Sequence, residues 1–293
     1  MKHNIPILDI CTLSETKDPE FIVERFSSYL KHHKNLSLPH RHNFYHVVFF
    51  TKGSGSHSID FHKFPVVPDQ IYFMVPGQVH SWNFEGDIDG YVVNFTTEFF
   101  QSFLLRHDYL ERFTFFNGIS QDSVIGLGKD LARYSKERFD EVLALKSLNN
   151  PIQKDLIKVI LLQIFLLIDQ YNLKDKLYNQ PNYTLLKNFQ KLIEKHYTEL
   201  RLPKDYADLL FVTPNHLNAL CKSTTGMQAG ELIRSRILLE AKRLLVNLDL
   251  TITEISNELN FNDNSYFTKF FKKQVGINPE EFRKNTFINF TAK

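Results

Sequence analysis

The chain has 293 residues, 43% hydrophobic and 23% charged, which is enough for two domains with separate cores and too apolar for a disordered protein. A formal net charge of +2 excludes a surface so basic or acidic that it names a partner by itself, and two cysteines, Cys11 and Cys221, exclude a disulfide framework or a CxxC metal site. The first residues lack the continuous apolar core of a signal peptide, and the most apolar run, 159–168, is too short to cross a bilayer, so a cytoplasmic protein with no membrane partner is expected.

From about residue 38 to 95 the pattern is strand-like. Apolar and aromatic runs at 45–50, 71–75 and 91–95 are separated by turn signals at 52–55, 67–69, 76–77 and 85–87. Short strands with closely spaced turns predict a small barrel or sandwich. Its aromatic load, Phe44, Tyr45, Tyr72, Phe73, Trp82 and Tyr91, supplies core, with some rings left to line an apolar pocket.

After residue 95 helical spacing takes over. The clearest helix is 151–171, opened by Pro151 at a position that needs no N–H. Ile152, Leu156, Val159, Ile160 and Gln163 follow one stripe, while Ile157, Leu161, Leu162, Phe165, Leu166 and Ile168 cover other faces. A helix apolar nearly all round is buried on more than one side, either within its own domain or in a subunit interface. Residues 172–183 (NLKDKLYNQPN plus Tyr183) are polar and read as a linker. Residues 184–293 carry 16 Lys/Arg against 12 Asp/Glu, about +4, and read as helical throughout.

This last segment contains a loose repeat. In the first copy, 203–226, a short helix centred on the small Ala207 leads through a turn to a second helix capped by Thr213 and opened by Pro214. Leu217, Leu220 and Cys221 turn inward, leaving Asn215, His216, Asn218, Ala219 and Lys222 outside, and Gly226 stops the helix. In the second copy, 251–276, Ile252, Ile255 and Leu259 make the first stripe around small Ser256, and Asp263 caps the second helix. Phe267, Phe270 and Phe271 turn inward, Asn264, Ser265, Tyr266, Lys269 and Lys273 outward, and Gly276 ends the unit. Caps and terminal glycines both recur at a spacing of 50. Between the copies, residues 228–247 predict an amphipathic helix of about 19 residues, roughly 28 Å long. Successive turns of one major-groove face lie about 34 Å apart, so such a helix can hold two recognition helices against adjacent groove segments. Exposed asparagines suit adenine edges, and lysines suit phosphate or guanine.

The run Ile255, Phe261, Ser265-Tyr266-Phe267, Phe270-Phe271-Lys272, Gly276, Asn278-Pro279 and Phe282-Arg283 resembles the C-terminal signature of the AraC/XylS family of bacterial transcription regulators, with Ala207, Leu217, Lys222, Gly226 and Arg236 matching upstream. The resemblance covers about a hundred residues. It implies two recognition helices in adjacent major grooves of double-stranded promoter or operator DNA, with Asn215, His216, Asn218 and Lys222 as contacts in the first, and Asn264, Ser265, Tyr266 and Lys269 in the second. Asn260 replaces the family's usual glycine and can adopt the left-handed turn conformation. Cys221 replaces an aromatic, leaving a smaller core plug, and Ala219 replaces a common base reader, making the first helix the plainer one.

His40-Arg-His42, His46 and Gly53 resemble the first motif of the cupin barrel, and the stretch from Pro76 through His80 to Asn83 resembles the second. In metal-binding cupins these positions grip one ion; here His46 stands where the carboxylate belongs. AraC-like sensor domains share this barrel and generally bind small organic ligands or none. The implied ligand-contacting set is His40, His42, His46, His80, Tyr45 and Trp82, with no cofactor, no catalytic metal and no enzymatic activity. The expected fold class is therefore multi-domain α+β: residues 1–171 a cupin-like β-barrel (about 38–95) with flanking helices (about 96–171) for sensing and dimerisation, 172–183 a linker, and 184–293 an all-α domain with two helix-turn-helix units. A small-molecule effector, a homodimer and RNA polymerase are the further partners implied. The rival is a cupin-type metal-binding enzyme or metal sensor whose helices form an interaction module.

Overall fold

A computed structural model describes residues 6–13, 19–33, 38–101, 103–104, 106, 108–146, 150–173 and 181–291. The chain divides into two compact units, Pro6–Lys176 and one that includes Leu177–Lys293. The helix that opens at Pro151 extends to Leu173 and the following helix begins at Pro181, so both reach into the stretch expected to link the domains, whose residues 174–180 lie outside those described.

The first unit runs β1 (Ile7–Leu8), α1 (Ile10–Leu13), β2 (Phe21–Arg25), α2 (Phe26–His32), β3 (His40–His42), β4 (Tyr45–Ile59), β5 (His62–Pro65), β6 (Gln70–Met74), β7 (Val79–Phe95), α3 (Thr97–Gln101), β8 (Val124–Gly126), α4 (Lys129–Lys146) and α5 (Pro151–Leu173). The strands form one sheet in the order β1-β3-β7-β4-β6-β8, with β2 also on β7 and β5 also on β4. Only the β1–β3 pairing is parallel among those described.

Two of the turn signals are not turns. β4 and β7 run straight through 52–55 and 85–87 and pair with each other from Tyr45↔Phe95 to Ile59↔His80. The glycines there bend strands instead of ending them. At Gly55 (φ +116°) an added Cβ would sit 2.3 Å from the Asn83 carbonyl oxygen, and at Gly90 2.0 Å from that of Phe49, approaches only glycine permits. Register shifts between Phe50, Lys52 and Ser54 mark a bulge. A one-residue shift moves the following side chains to the opposite face.

That parity change organises the interior. Before the bulge, Val48 and Phe50 point into a core with Tyr72, Met74, Trp82 and Val92; after it, Ile59 joins the same core. The alternate residues, Val47, Phe49, Phe73, Val93 and Phe95, pack on the other face against Phe139, Leu161 and Phe165 of α4 and α5. A sheet covered on both faces reads as continuous apolar runs, which is why its strands were legible. Strands β1, β2 and β8 were not: all three are short, and β8 lies in a stretch where the sequence predicted only helices.

The second unit is helical: α6 (Pro181–His196), α7 (Pro203–Leu209), α8 (Pro214–Thr225), α9 (Ala229–Leu245), α10 (Ile252–Glu258), α11 (Asn264–Val275) and α12 (Pro279–Thr291). They share one core, centred on Phe189, Tyr206, Leu217, Ile233, Ile237, Phe267 and Phe271. At 17 residues, α9 spans about 26 Å.

Candidate functional site

The helical unit forms two helix-turn-helix pairs, α7–α8 and α10–α11. The Thr213 hydroxyl accepts from the His216 N–H at 3.2 Å and an Asp263 carboxylate oxygen accepts from the Tyr266 N–H at 2.7 Å, each satisfying a backbone donor at a recognition-helix start. Gly226 (φ +76°) and Gly276 (φ +90°) end the helices in the left-handed conformation. Ala207 and Ser256 are fully buried, and their carbonyls receive equivalent turn-closing bonds from the Val212 and Phe261 N–H groups. These pairs lie 49 apart, whereas the caps lie 50 apart, so the second turn contains one more residue.

Both turns pass through a left-handed residue, Phe211 and Asn260, each at φ +55°. Asn260 fulfils the expectation for its position. Phe211 was not anticipated: it carries an aromatic ring at 96% exposure on a backbone that side chains of its size rarely adopt.

Among the expected readers, Asn215, His216 and Lys222 are exposed on α8, and Asn264, Ser265, Tyr266 and Lys269 on α11. Asn218 differs. It is half-buried, and its side-chain oxygen accepts from the Ala229 N–H at 3.1 Å, tying α8 to the start of α9. Ala219 is exposed and offers no polar atom. Lys272, part of the signature run but not among the expected contacts, is also exposed and joins Lys269 and Lys273 on α11.

Two signature residues prove to be struts. Arg236 pairs with Glu194 (2.7 Å) and Glu240 (2.9 Å) and lies over the Tyr197 ring at 4.1 Å. Arg283 donates to the carbonyls of Leu245 (2.9 Å) and Leu250 (2.8 Å), fixing the end of α9. Arg201, which the sequence did not flag, donates to the carbonyls of Leu259 and Asn260 and lies 4.1 Å over Phe261. Asn260 answers by donating to the Thr198 carbonyl at 3.2 Å. The entry to the first helix-turn-helix is thus fastened to the turn of the second.

In the sheet unit the register gathers five histidines. His40 and His80 are direct cross-strand partners, His46 faces Asn94, and His57 faces Trp82. All five histidines are at most 3% exposed. His57 was missed because in an unbroken strand its parity would oppose that of His46; the bulge brings it round. Its ring stacks on Trp82 at 3.5 Å, and its Nε2 lies 3.0 Å from His80 Nδ1. Tyr45 moves the other way, onto the helix-covered face, where it stacks on Phe95 at 5.0 Å and borders a cleft of about 250 Å³ with Phe100, Leu104 and Arg106. It therefore does not join the histidines.

Burial holds these imidazoles neutral. Desolvation lowers His40 to about 4 and His46 to about 3, and the neighbouring rings reinforce it in pushing His42, His57 and His80 well below the ordinary histidine range. The Nε2 atoms of His40 and His46 and Nδ1 of His57 are buried with no hydrogen-bond partner, each a cost of about 1–3 kcal/mol.

Residues 29–152 match the family model of the AraC-like ligand binding domain, and residues 206–285 match a helix-turn-helix domain model. An uncharacterized transcriptional regulatory protein, YesN of Bacillus subtilis, is 38% identical over 80 residues, 26% of this chain and 22% of that protein. Another regulator, YijO of Escherichia coli, is 27% identical over 37% of this chain and 38% of its own length, so the chain spans well under half of either relative. The HTH-type transcriptional activator RhaR of Escherichia coli K12 is 21% identical over 97% of this chain and 98% of its own. Among solved structures, unsaturated fatty acid bound ToxT of Vibrio cholerae covers 92% of this chain and 97% of its own at 12% identity and a TM-score of 0.43. With an AraC-like ligand binding domain match in one unit and a helix-turn-helix domain match in the other, the chain combines the two domain types of an AraC-type regulator.

Proposed function

We propose that this protein reads a specific operator through α8 and α11 together and answers to a small effector sensed by its sheet unit, without being an enzyme itself. The observation that carries the reading is the pair of capped helices, mounted on one core, with exposed asparagine and lysine faces. Asn264, Ser265, Tyr266 and Lys269 are the leading base contacts, supported by Asn215 and His216; Lys222 serves phosphate, and Asn218 acts as much in positioning α8 as in contact.

A homodimer is part of the proposal. Ile152, Leu156, Val159 and Leu166 of α5 are exposed, with Gln163 and Gln170 between and beyond them. Their alternating spacing of four and three is that of a two-helix seam, and a second copy of α5 would cover it. Action in the cytoplasm and contact with RNA polymerase follow from the same family reading; no described helix is long and apolar enough to cross a membrane.

Salt titration of binding to the protein's own promoter region tests the central claim. Affinity should fall steeply with salt as phosphate contacts release counterions, and replacing Asn264 and Lys269 by alanine should cost about 1–3 kcal/mol each on the specific site and less on random DNA. Absent or salt-insensitive binding would overturn the reading.

A further inference from the structure

The histidine cluster has a geometry that a purely structural role leaves unexplained. Asn94 donates its amide N–H to the Tyr29 hydroxyl at 3.1 Å, so its oxygen faces His46 Nδ1 at 2.6 Å and assigns the proton to that nitrogen. His40 Nδ1 lies 2.7 Å from the Leu38 carbonyl oxygen and must likewise donate. Both rings are then left with a bare Nε2, buried and unpartnered. His80 can donate from Nδ1 to His57 Nε2, which bares its own Nε2 at 3.5 Å from His42 Nε2, too long for a good hydrogen bond.

Imidazoles whose far N–H is held by a carbonyl, an amide oxygen or a second histidine are prepared as metal ligands, since that outer bond fixes both tautomer and ring orientation. One nitrogen from each of His40, His42 and His80 lies within 4.8 Å of the others. Nitrogens about 2.1 Å from a tetrahedral ion stand about 3.4 Å apart, a distance that His42 and His80 already match at 3.5 Å. Size points the same way. Phe26, Tyr29, Phe44, Phe50, Tyr72 and Trp82 fill the surrounding interior at no more than 5% exposure, which suits an ion better than an organic molecule.

We infer that His40, His42 and His80 bind one divalent transition-metal ion inside the sheet unit, with His46 beside the fourth position and His57 as the positioning residue behind His80. Three neutral imidazoles favour a borderline ion of the zinc, cobalt or nickel type over magnesium or calcium. This inference rests on the reading of the unit as a sensor and names the class of its effector.

The test uses the full chain, treated with chelator, dialysed, and titrated separately with Zn²⁺ and Co²⁺ in a calorimeter. One ion per chain is expected, with a visible Co²⁺ ligand-field spectrum and a rise in the melting temperature reported by Trp82. His42→Gln and His80→Gln should abolish stoichiometric binding, and His57→Gln should weaken it 10- to 100-fold. His62→Gln, outside the cluster, should leave it unchanged. X-ray absorption of the zinc-loaded wild type keeps the test decisive if the variants misfold: at least three imidazoles at about 2.0–2.1 Å are required. No stoichiometric ion in folded wild type, fewer than three imidazoles, or an ion retained by His42→Gln overturns the inference. Loss of DNA binding with the ion retained would instead overturn the regulator reading and leave the metal site standing.

Discussion

The two units dispose of their polar side chains in opposite ways. The sheet unit turns five imidazoles inward, where burial keeps them uncharged and leaves several nitrogens without a partner. The helical unit sends asparagines and lysines outward, and among its described residues the arginines drawn inward are braced, as Arg236 is by Glu194 and Glu240 and Arg243 by Glu240. A buried charge requires a partner, whereas a buried neutral ring can keep a lone pair in reserve. On the proposed reading, function lies inside the first unit and on the surface of the second.

Acidification should separate the units most. His40 and His46 fall from an unfolded value near 6.5 to about 4 and about 3, so the stability they lend is present above pH 6.5 and lost as the pH falls through 4 toward 3. The metal-free sheet unit should lose several kcal/mol across that window. Trp82, the single tryptophan, reports on this unit alone; a pH-independent transition there would remove the distinction. Next in size, Phe267→Ala should cost about 3–5 kcal/mol in the helical unit, read by circular dichroism, while the Trp82 transition stays put. Arg201→Ala should cost about 1.5–3 kcal/mol through its lost carbonyl bonds and weaken operator binding more than either half-operator alone. Smallest, Phe211→Asn should stabilise the helical unit by up to about 1 kcal/mol, because asparagine tolerates the left-handed backbone better; the matching Asn260→Phe should destabilise it.

How much of this was legible depended on the range of the interactions. Caps at Thr213 and Asp263, stops at Gly226 and Gly276, and the apolar spacing of Phe267 and Phe271 are written within a turn or two of helix, and the structure places them as read. His40, His42, His46 and His80 converge as the motif spacing implied. What escaped depends on partners far along the chain. His57 enters the interior only because of a register shift against β7. Tyr45 leaves the histidines because strand parity, not its proximity in sequence to His46, sets its face. Asn218 looked like a plain surface reader until its bond to Ala229, eleven residues on, was visible. Arg201 carried no local signal, since its partners lie 58 and 59 residues away.

The fastening of Arg201 and Asn260 across the two helix-turn-helix units bears on the operator. If α8 and α11 read the operator as proposed, helices pinned to each other cannot slide or swivel independently, and the DNA must present its two contact stretches at one separation and one phase. Inserting a single base pair between them would rotate the second stretch by about 35°, and the duplex, not the protein, would have to untwist or bend to restore contact.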